Sequence, residues 1–120
     1  KMPQLGYGVY QTPTEETESC VLTAIKNEYR SIDTAQAYGN EEGVGQAIVK
    51  CGLPREELFI TTKIWISNAG YEKAKASIEE SLKKLKTDYV DLLLIHQLFG
   101  DYYGTYRAME EAHKAGKSFF

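Results

Sequence analysis

The sequence has few cysteines, no excess of basic residues and no long apolar runs. Its net charge is −3 and its pI about 5.4, without the clustered Lys and Arg that a nucleic-acid-binding surface needs. No apolar stretch approaches the roughly 18 residues of a membrane-spanning helix, and none resembles a secretory signal peptide. We therefore expect neither a nucleic-acid nor a membrane partner.

The two cysteines, Cys20 and Cys51, are too few for a disulfide framework and lack the spacing of metal ligands. Both fall inside predicted helices, so we expect buried, reduced thiols in a cytoplasmic protein and no metal site. With 42% hydrophobic and 26% charged residues among 120, the composition is that of one soluble globular domain.

Strand-like and helix-like segments alternate four times, with no linker or low-complexity segment between them. The predicted strands are β-branched or apolar stretches at residues 4–11, 29–34, 58–63 and 89–96. The predicted helices follow them, at residues 12–27, 40–51, 71–85 and 105–114. Successive strand centres lie about 30 residues apart, which is typical of βαβ units with parallel strands.

Several helix starts carry capping sequences. Residues 12–15 (TPTE) have the form of a capping box with Pro at the first helical position. Asn40 is a preferred N-cap, and Glu41 and Glu42 favour the positive end of the helix that follows. Thr105 is the predicted cap of the last helix. The unbroken apolar run Leu92–Ile95 predicts a strand that is covered on both faces.

Four polar side chains follow predicted strand ends, where active sites of strand–helix barrels are assembled. Asp33 lies at the end of the second strand, Tyr38 in the loop after it, Lys63 at the end of the third and His96 at the end of the fourth. A free tyrosine has a pKa of about 10 and is a weak acid near neutrality. A nearby ammonium favours the phenolate, so Lys63 would assist Tyr38 as a proton donor and Asp33 would hold Lys63.

Each of these residues alone has a more ordinary interpretation. A Tyr-Gly-Asn sequence is usually only a turn, and an Asp at a strand end often only caps a loop. Lys63 could be solvated and His96 a hydrogen-bonded core residue. Lys63 could also be the Schiff-base lysine of an aldolase-type barrel, although the pairing of Asp33 with Tyr38 speaks against it. Their combination at successive strand ends is what indicates a site.

Three motifs, in order, resemble those of the aldo-keto reductases. DTAQAYGNE at 33–41 is similar to the family's motif after strand two, and FITTKIW at 59–65 to its lysine motif. SLKKLKTDYVDLLLIH at 81–96 is similar to the run that ends in its histidine. The resemblance extends from about Pro3 to Lys117, and the subgroup resembled is that of small monomeric bacterial and protozoan reductases of aldehydes, α-dicarbonyls and keto-sugars.

The resemblance implies an α/β fold of the TIM (β/α)8 barrel class, with this chain supplying about the first four β/α units. It implies reduction of aldehydes and ketones by NADPH, with small carbonyl compounds as substrates and Tyr38 as the proton donor. The implied catalytic residues are Asp33, Tyr38, Lys63 and His96. The implied cofactor-binding residues are Gly8, Val9, Tyr10 and Asp33. The implied substrate-binding residues are Tyr10, Trp65 and His96.

Such barrels have about 250 residues, whereas this sequence ends after four units. We therefore expect residues 1–120 to form a single domain, the N-terminal half of a barrel whose complete form is a monomer. A different class of function is also open. Half a barrel exposes the edges of its first and last strands, which invite pairing, so the chain could be a catalytically incomplete fragment that only associates with another chain.

Overall fold

A computed structural model of the chain describes residues 5–95 and 102–118. Strands and helices alternate in the predicted order, which confirms the α/β class. The elements are β1 (Gly6–Gly8), α1 (Thr14–Lys26), β2 (Ser31–Asp33), α2 (Glu41–Lys50), β3 (Phe59–Ile64), α3 (Tyr71–Leu85), β4 (Leu92–Ile95) and α4 (Tyr102–Lys114). Short 3₁₀ turns lie at Gln36–Tyr38, Arg55–Glu57 and Ile66–Asn68.

The strands form one parallel sheet in the order β1-β2-β3-β4. Ile32 of β2 pairs with Ile60 of β3, and both are fully buried under the helices. Because successive side chains of a strand point to opposite faces, Asp33 and Lys63 project from the face that the helices do not cover. The register therefore separates an apolar, helix-packed face from a face that carries polar groups.

The helices pack side by side over the apolar face, each against the next along the chain. Their buried residues recur at helical spacing, as in the stripe Ala74, Ile78, Leu82 and Leu85 of α3. Helix α2 approaches α3 very closely at Gly45. A Cβ atom at that position would collide with the carbonyl oxygen of Lys84 and lie 2.8 Å from the Cα of Leu85.

The N-terminal elements begin and end differently from the prediction. Strand β1 spans only Gly6–Gly8, because the chain turns after it: the Thr12 amide donates to the Val9 carbonyl, and Gln11 has a φ of 63°. The predicted capping box is wrong. Pro13 occupies the cap position of α1, and it has no polar side chain with which to cap.

The predicted cap of α4 is also wrong. The helix begins at Tyr102, and Thr105 lies buried inside it. Its hydroxyl accepts a hydrogen bond from the backbone N–H of Gly70 at 2.8 Å, so it joins α4 to the start of α3. None of the helices in the described ranges has the length and apolarity needed to cross a membrane.

Two predictions of burial fail. Cys20 and Cys51 are free thiols, as expected, but each is half-buried, and Cys51 follows the last residue of α2. The run Leu92–Ile95 is covered on one face only: Leu93 is buried, whereas Leu94 is 39% exposed. Leu94 pairs with Lys63 in the parallel sheet, so it lies on the face that the helices do not cover, whereas Leu93 lies on the helix-packed face.

Gly45→Ala should destabilise the protein, because the added methyl group meets rigid backbone of α3 rather than a movable side chain. Overpacking of this kind typically costs about 1–3 kcal/mol, which outweighs the gain of about 1 kcal/mol in helix propensity. Gln46→Ala, at the next and less buried position of α2, is the control. A urea midpoint for Gly45→Ala at or above that of Gln46→Ala would contradict this account of the α2–α3 contact.

Candidate active site

Asp33, Tyr38 and Lys63 meet at the carboxyl ends of β2 and β3. The Lys63 ammonium forms an ion pair with Asp33 Oδ1 and donates to the Thr34 carbonyl oxygen at 3.1 Å. It also lies 3.4 Å from the Tyr38 hydroxyl oxygen. Tyr38 reaches this position from the 3₁₀ turn Gln36–Tyr38 that follows β2. The structure thus brings three of the four predicted catalytic residues together.

The charges at this site are unequally exposed. The Lys63 side chain is 14% exposed and that of Asp33 is 48% exposed, so the ammonium is largely removed from water and has a carboxylate as its counter-charge. Its nitrogen also lies 5.0 Å from the centre of the Tyr38 ring. A cation this close stabilises negative charge on the phenol oxygen. The arrangement therefore places an ammonium, held by a carboxylate, next to the hydroxyl group of a tyrosine.

The exit of β1 lies beside Tyr38. Tyr10 is 67% exposed, and the centre of its ring lies 5.1 Å from that of the Tyr38 ring. Val9 is buried, and its amide donates to the Asp33 carbonyl at 3.1 Å. Among the described residues, no atom outside Gly8 and its two chain neighbours lies within 4 Å of the place where a Cβ of Gly8 would be. The predicted cofactor-binding residues therefore border the same cluster as Asp33 and Tyr38.

The remaining predicted residues are Trp65 and His96. Trp65 is half-buried just beyond the end of β3, and its backbone N–H donates to Gln36 Oε1 at 2.9 Å. His96 lies outside the described residues. Among residues 5–95 and 102–118, no three His, Cys, Asp or Glu side chains cluster as metal ligands would.

The sequence model of the Aldo/keto reductase family matches residues 3–118. The chain belongs to this family. It is 52% identical over 120 residues to glyoxal reductase of Bacillus subtilis, an alignment that covers 98% of this chain and 43% of that protein.

Solved aldo-keto reductases have the same fold over this length. The crystal structure of an aldo/keto reductase from Brucella melitensis superposes with a TM-score of 0.95 at 48% identity, covering 98% of this chain and 46% of that one. A Bombyx mori aldo-keto reductase in complex with NADP gives 0.87 at 34% identity, with 98% and 45% covered. The chain thus corresponds to about the first four β/α units of a (β/α)8 barrel and spans less than half the length of these relatives.

Asn40 has a larger role in this aldo-keto reductase chain than the predicted helix cap. It stands at the N-cap position of α2 but makes no side-chain cap. Its fully buried amide donates to the Val9 carbonyl at 2.9 Å and accepts from the Thr34 hydroxyl at 2.8 Å. The side chain thereby ties the exit of β1 to the loop that carries Tyr38. The sequence did not predict this role, because an Asn before a helix is expected to bond to the neighbouring backbone as a cap.

Glu41 is a buried carboxyl group, whereas its place in the sequence predicts only an interaction with the positive end of the helix. It is 3% exposed and accepts from the Thr62 hydroxyl at 2.6 Å and the Ser81 hydroxyl at 3.2 Å. Burial raises the pKa of Glu41, partly offset by these two hydrogen bonds. Two residues of the sequence could have indicated a buried partner for Glu41: Thr62 within an apolar strand and Ser81 beside the apolar stripe of α3. Buried polar groups need hydrogen-bond partners.

Glu41 should make the stability of the protein depend on pH. Its pKa is higher in the folded than in the unfolded state, so its contribution is most favourable when both states are protonated and declines as the pH rises through the folded-state pKa. Glu41→Gln mimics the protonated form. Relative to the wild type, the Glu41→Gln variant should therefore be more stable at pH 7 than at pH 4. Urea denaturation at the two pH values would measure this difference in the free energy of unfolding.

Glu42→Gln is the matched control, because Glu42 is the exposed neighbour of Glu41. Its stability difference from the wild type should change less between the two pH values. Equal changes for the two variants would contradict a special cost for the ionised Glu41.

Proposed function

We propose that the protein containing this chain reduces small aldehydes and ketones, dicarbonyls among them, to alcohols with NADPH. The observation that carries the proposal is the contact of Lys63 with both Asp33 and Tyr38, in a family whose members include a glyoxal reductase. A monomeric barrel in the cytoplasm, as the resemblance implies, is part of the same proposal.

Tyr38 gives its proton to the carbonyl oxygen of the substrate as negative charge develops there. Lys63 stabilises the phenolate that Tyr38 becomes, from a nitrogen 3.4 Å away. Asp33 holds the Lys63 ammonium in place through the ion pair. All three residues therefore act on the same proton transfer. General acid catalysis of this type contributes about 10²–10⁴-fold to a rate.

His96 is proposed as a second hydrogen-bond donor to the same oxygen, an inference that rests on the motif at 81–96. A preorganised donor to a developing oxyanion is worth about 3 kcal/mol. Trp65 and Tyr10 are proposed to line the substrate site. The support is their position: Trp65 lies just after β3, and the Tyr10 ring lies against that of Tyr38.

A bound nicotinamide supplies the hydride. Gly8, Val9, Tyr10 and Asp33 are proposed to hold part of the cofactor, and the β1 exit fits this role. Within the part of the chain that the structure describes, no non-neighbouring atom lies within 4 Å of the side-chain position of Gly8. The Val9 carbonyl accepts a hydrogen bond from Asn40, which fixes the backbone of the β1 exit. The NADP complex of the Bombyx mori relative supports the choice of cofactor.

Mixing the full-length protein with NADPH and methylglyoxal should consume NADPH, followed as loss of its absorbance. Tyr38→Phe keeps the ring and removes only the hydroxyl that lies near Lys63. Loss of the proton donor should lower kcat by about 10²-fold or more.

Tyr106→Phe is the control, because Tyr106 is an exposed tyrosine on α4. It should leave the rate at the wild-type value. Undiminished activity in Tyr38→Phe would refute the proposed proton transfer, and an inactive wild type with a range of aldehydes would refute the reductase assignment itself.

The second candidate function is that of a fragment that only associates with another chain. Strands β1 and β4 each pair with a single strand in the described sheet. Such edges invite pairing with a further strand. Sedimentation of the 120-residue chain should then show dimers or larger species, whereas a stable 13.5 kDa monomer would argue against this candidate.

A further inference from the structure

The side chain of Gln36 uses both ends of its amide for hydrogen bonds. The oxygen accepts from the Trp65 backbone N–H at 2.9 Å and from Asn68 Nδ2 at 2.8 Å. The nitrogen donates to the Ser81 hydroxyl at 3.1 Å and to the Ser77 carbonyl oxygen at 3.3 Å. An amide has two donor hydrogens and an oxygen with two lone pairs, so this group is fully satisfied.

These bonds join three parts of the molecule. Gln36 is the first residue of the 3₁₀ turn that ends at Tyr38. Trp65 follows the end of β3, the strand that carries Lys63. Ser77 and Ser81 belong to α3. One side chain therefore connects the turn that bears the proposed proton donor both to the strand that bears its cation and to a long helix.

The backbone bonds of the turn itself are local: the Tyr38 amide donates to the Ala35 carbonyl at 3.1 Å and the Gly39 amide to that of Gln36 at 3.3 Å. Such bonds shape the turn without fixing its position against β3. The side-chain amide of Gln36 does connect the turn to the end of β3, because it accepts a hydrogen bond from Trp65, 29 residues further along the chain.

We propose that Gln36 is a positioning residue that fixes Tyr38 relative to Lys63 and Trp65. The inference rests on the proposed function of Tyr38. Lys63 Nζ and Tyr38 Oη are 3.4 Å apart, near the outer limit of a hydrogen bond, so a small displacement of the turn would separate them. Misplacement of a reacting group by about 1 Å can lower a rate about 10²-fold.

Gln36→Met tests this proposal in the full-length protein, because methionine has similar length and flexibility but forms none of the four hydrogen bonds. We expect kcat for methylglyoxal to fall by about 10- to 100-fold, while KM changes by less than about threefold, because positioning acts on the transition state more than on ground-state binding. Gln46→Met, the same change at a half-buried position of α2, should leave both constants at the wild-type values.

Hydrogen exchange provides a readout that does not depend on activity. The Trp65 amide donates to Gln36 Oε1, so its exchange should be about tenfold or more faster in Gln36→Met than in Gln46→Met. If the wild type were inactive but this difference were found, the proposed function would fail and the connection to Trp65 would stand. Unchanged exchange together with unchanged kcat would overturn the inference.

A milder pair of variants covers the case in which Gln36→Met does not fold. Ser81 and Ser77 are both buried serines on α3, but only the hydroxyl of Ser81 bonds to Gln36, whereas that of Ser77 donates to Ala74 O. Ser81→Ala should lower kcat by about two- to fivefold with KM unchanged, and Ser77→Ala should not. Equal kcat values in these two variants would count against the proposal.

Discussion

The ion pair between Asp33 and Lys63 is the interaction on which the candidate site depends. Strand register creates it: Asp33 pairs with Thr61, and Lys63 lies two residues further along the same face of β3. A buried ammonium without a counter-charge is strongly unfavourable, and the Lys63 side chain is largely buried. The carboxylate of Asp33 therefore compensates the cost of burying the Lys63 ammonium beside Tyr38. The register of the parallel strands brings Asp33 and Lys63 within contact distance.

The opposite face of the same strand is held by a second polar group. Thr62 precedes Lys63 and points toward the helices, where its hydroxyl donates to the buried Glu41. Glu41 also accepts from Ser81 of α3, which in turn accepts from Gln36. Buried polar networks that are fully satisfied favour one arrangement of the elements they join. The end of β3 is thus fixed from both faces, by an ion pair on one and by neutral donors to a carboxyl group on the other.

The sequence predicts those features that depend on local pattern. The order of the elements and the positions of Asp33 and Lys63 near the ends of their strands follow from apolar periodicity and from the spacing of about 30 residues per βαβ unit. The tertiary uses of Asn40 and Thr105 do not, because each is a good helix cap by type and bonds instead to a distant backbone group. The exposure of Leu94 is equally unpredictable, since an apolar run does not reveal what packs against its strand.

Tyr38 lies in a turn rather than on a strand, and this has a consequence for how the motif at 33–41 is built. The hydrogen bonds of the sheet fix the positions of strand residues, whereas side-chain hydrogen bonds connect this turn to the neighbouring strand ends. Asn40 connects the loop to the β1 exit, and Gln36 connects it to the β3 exit. Amides suit this task because one group both donates and accepts. Most polar residues of the motif therefore position the loop, and the proposed proton transfer falls to Tyr38 alone.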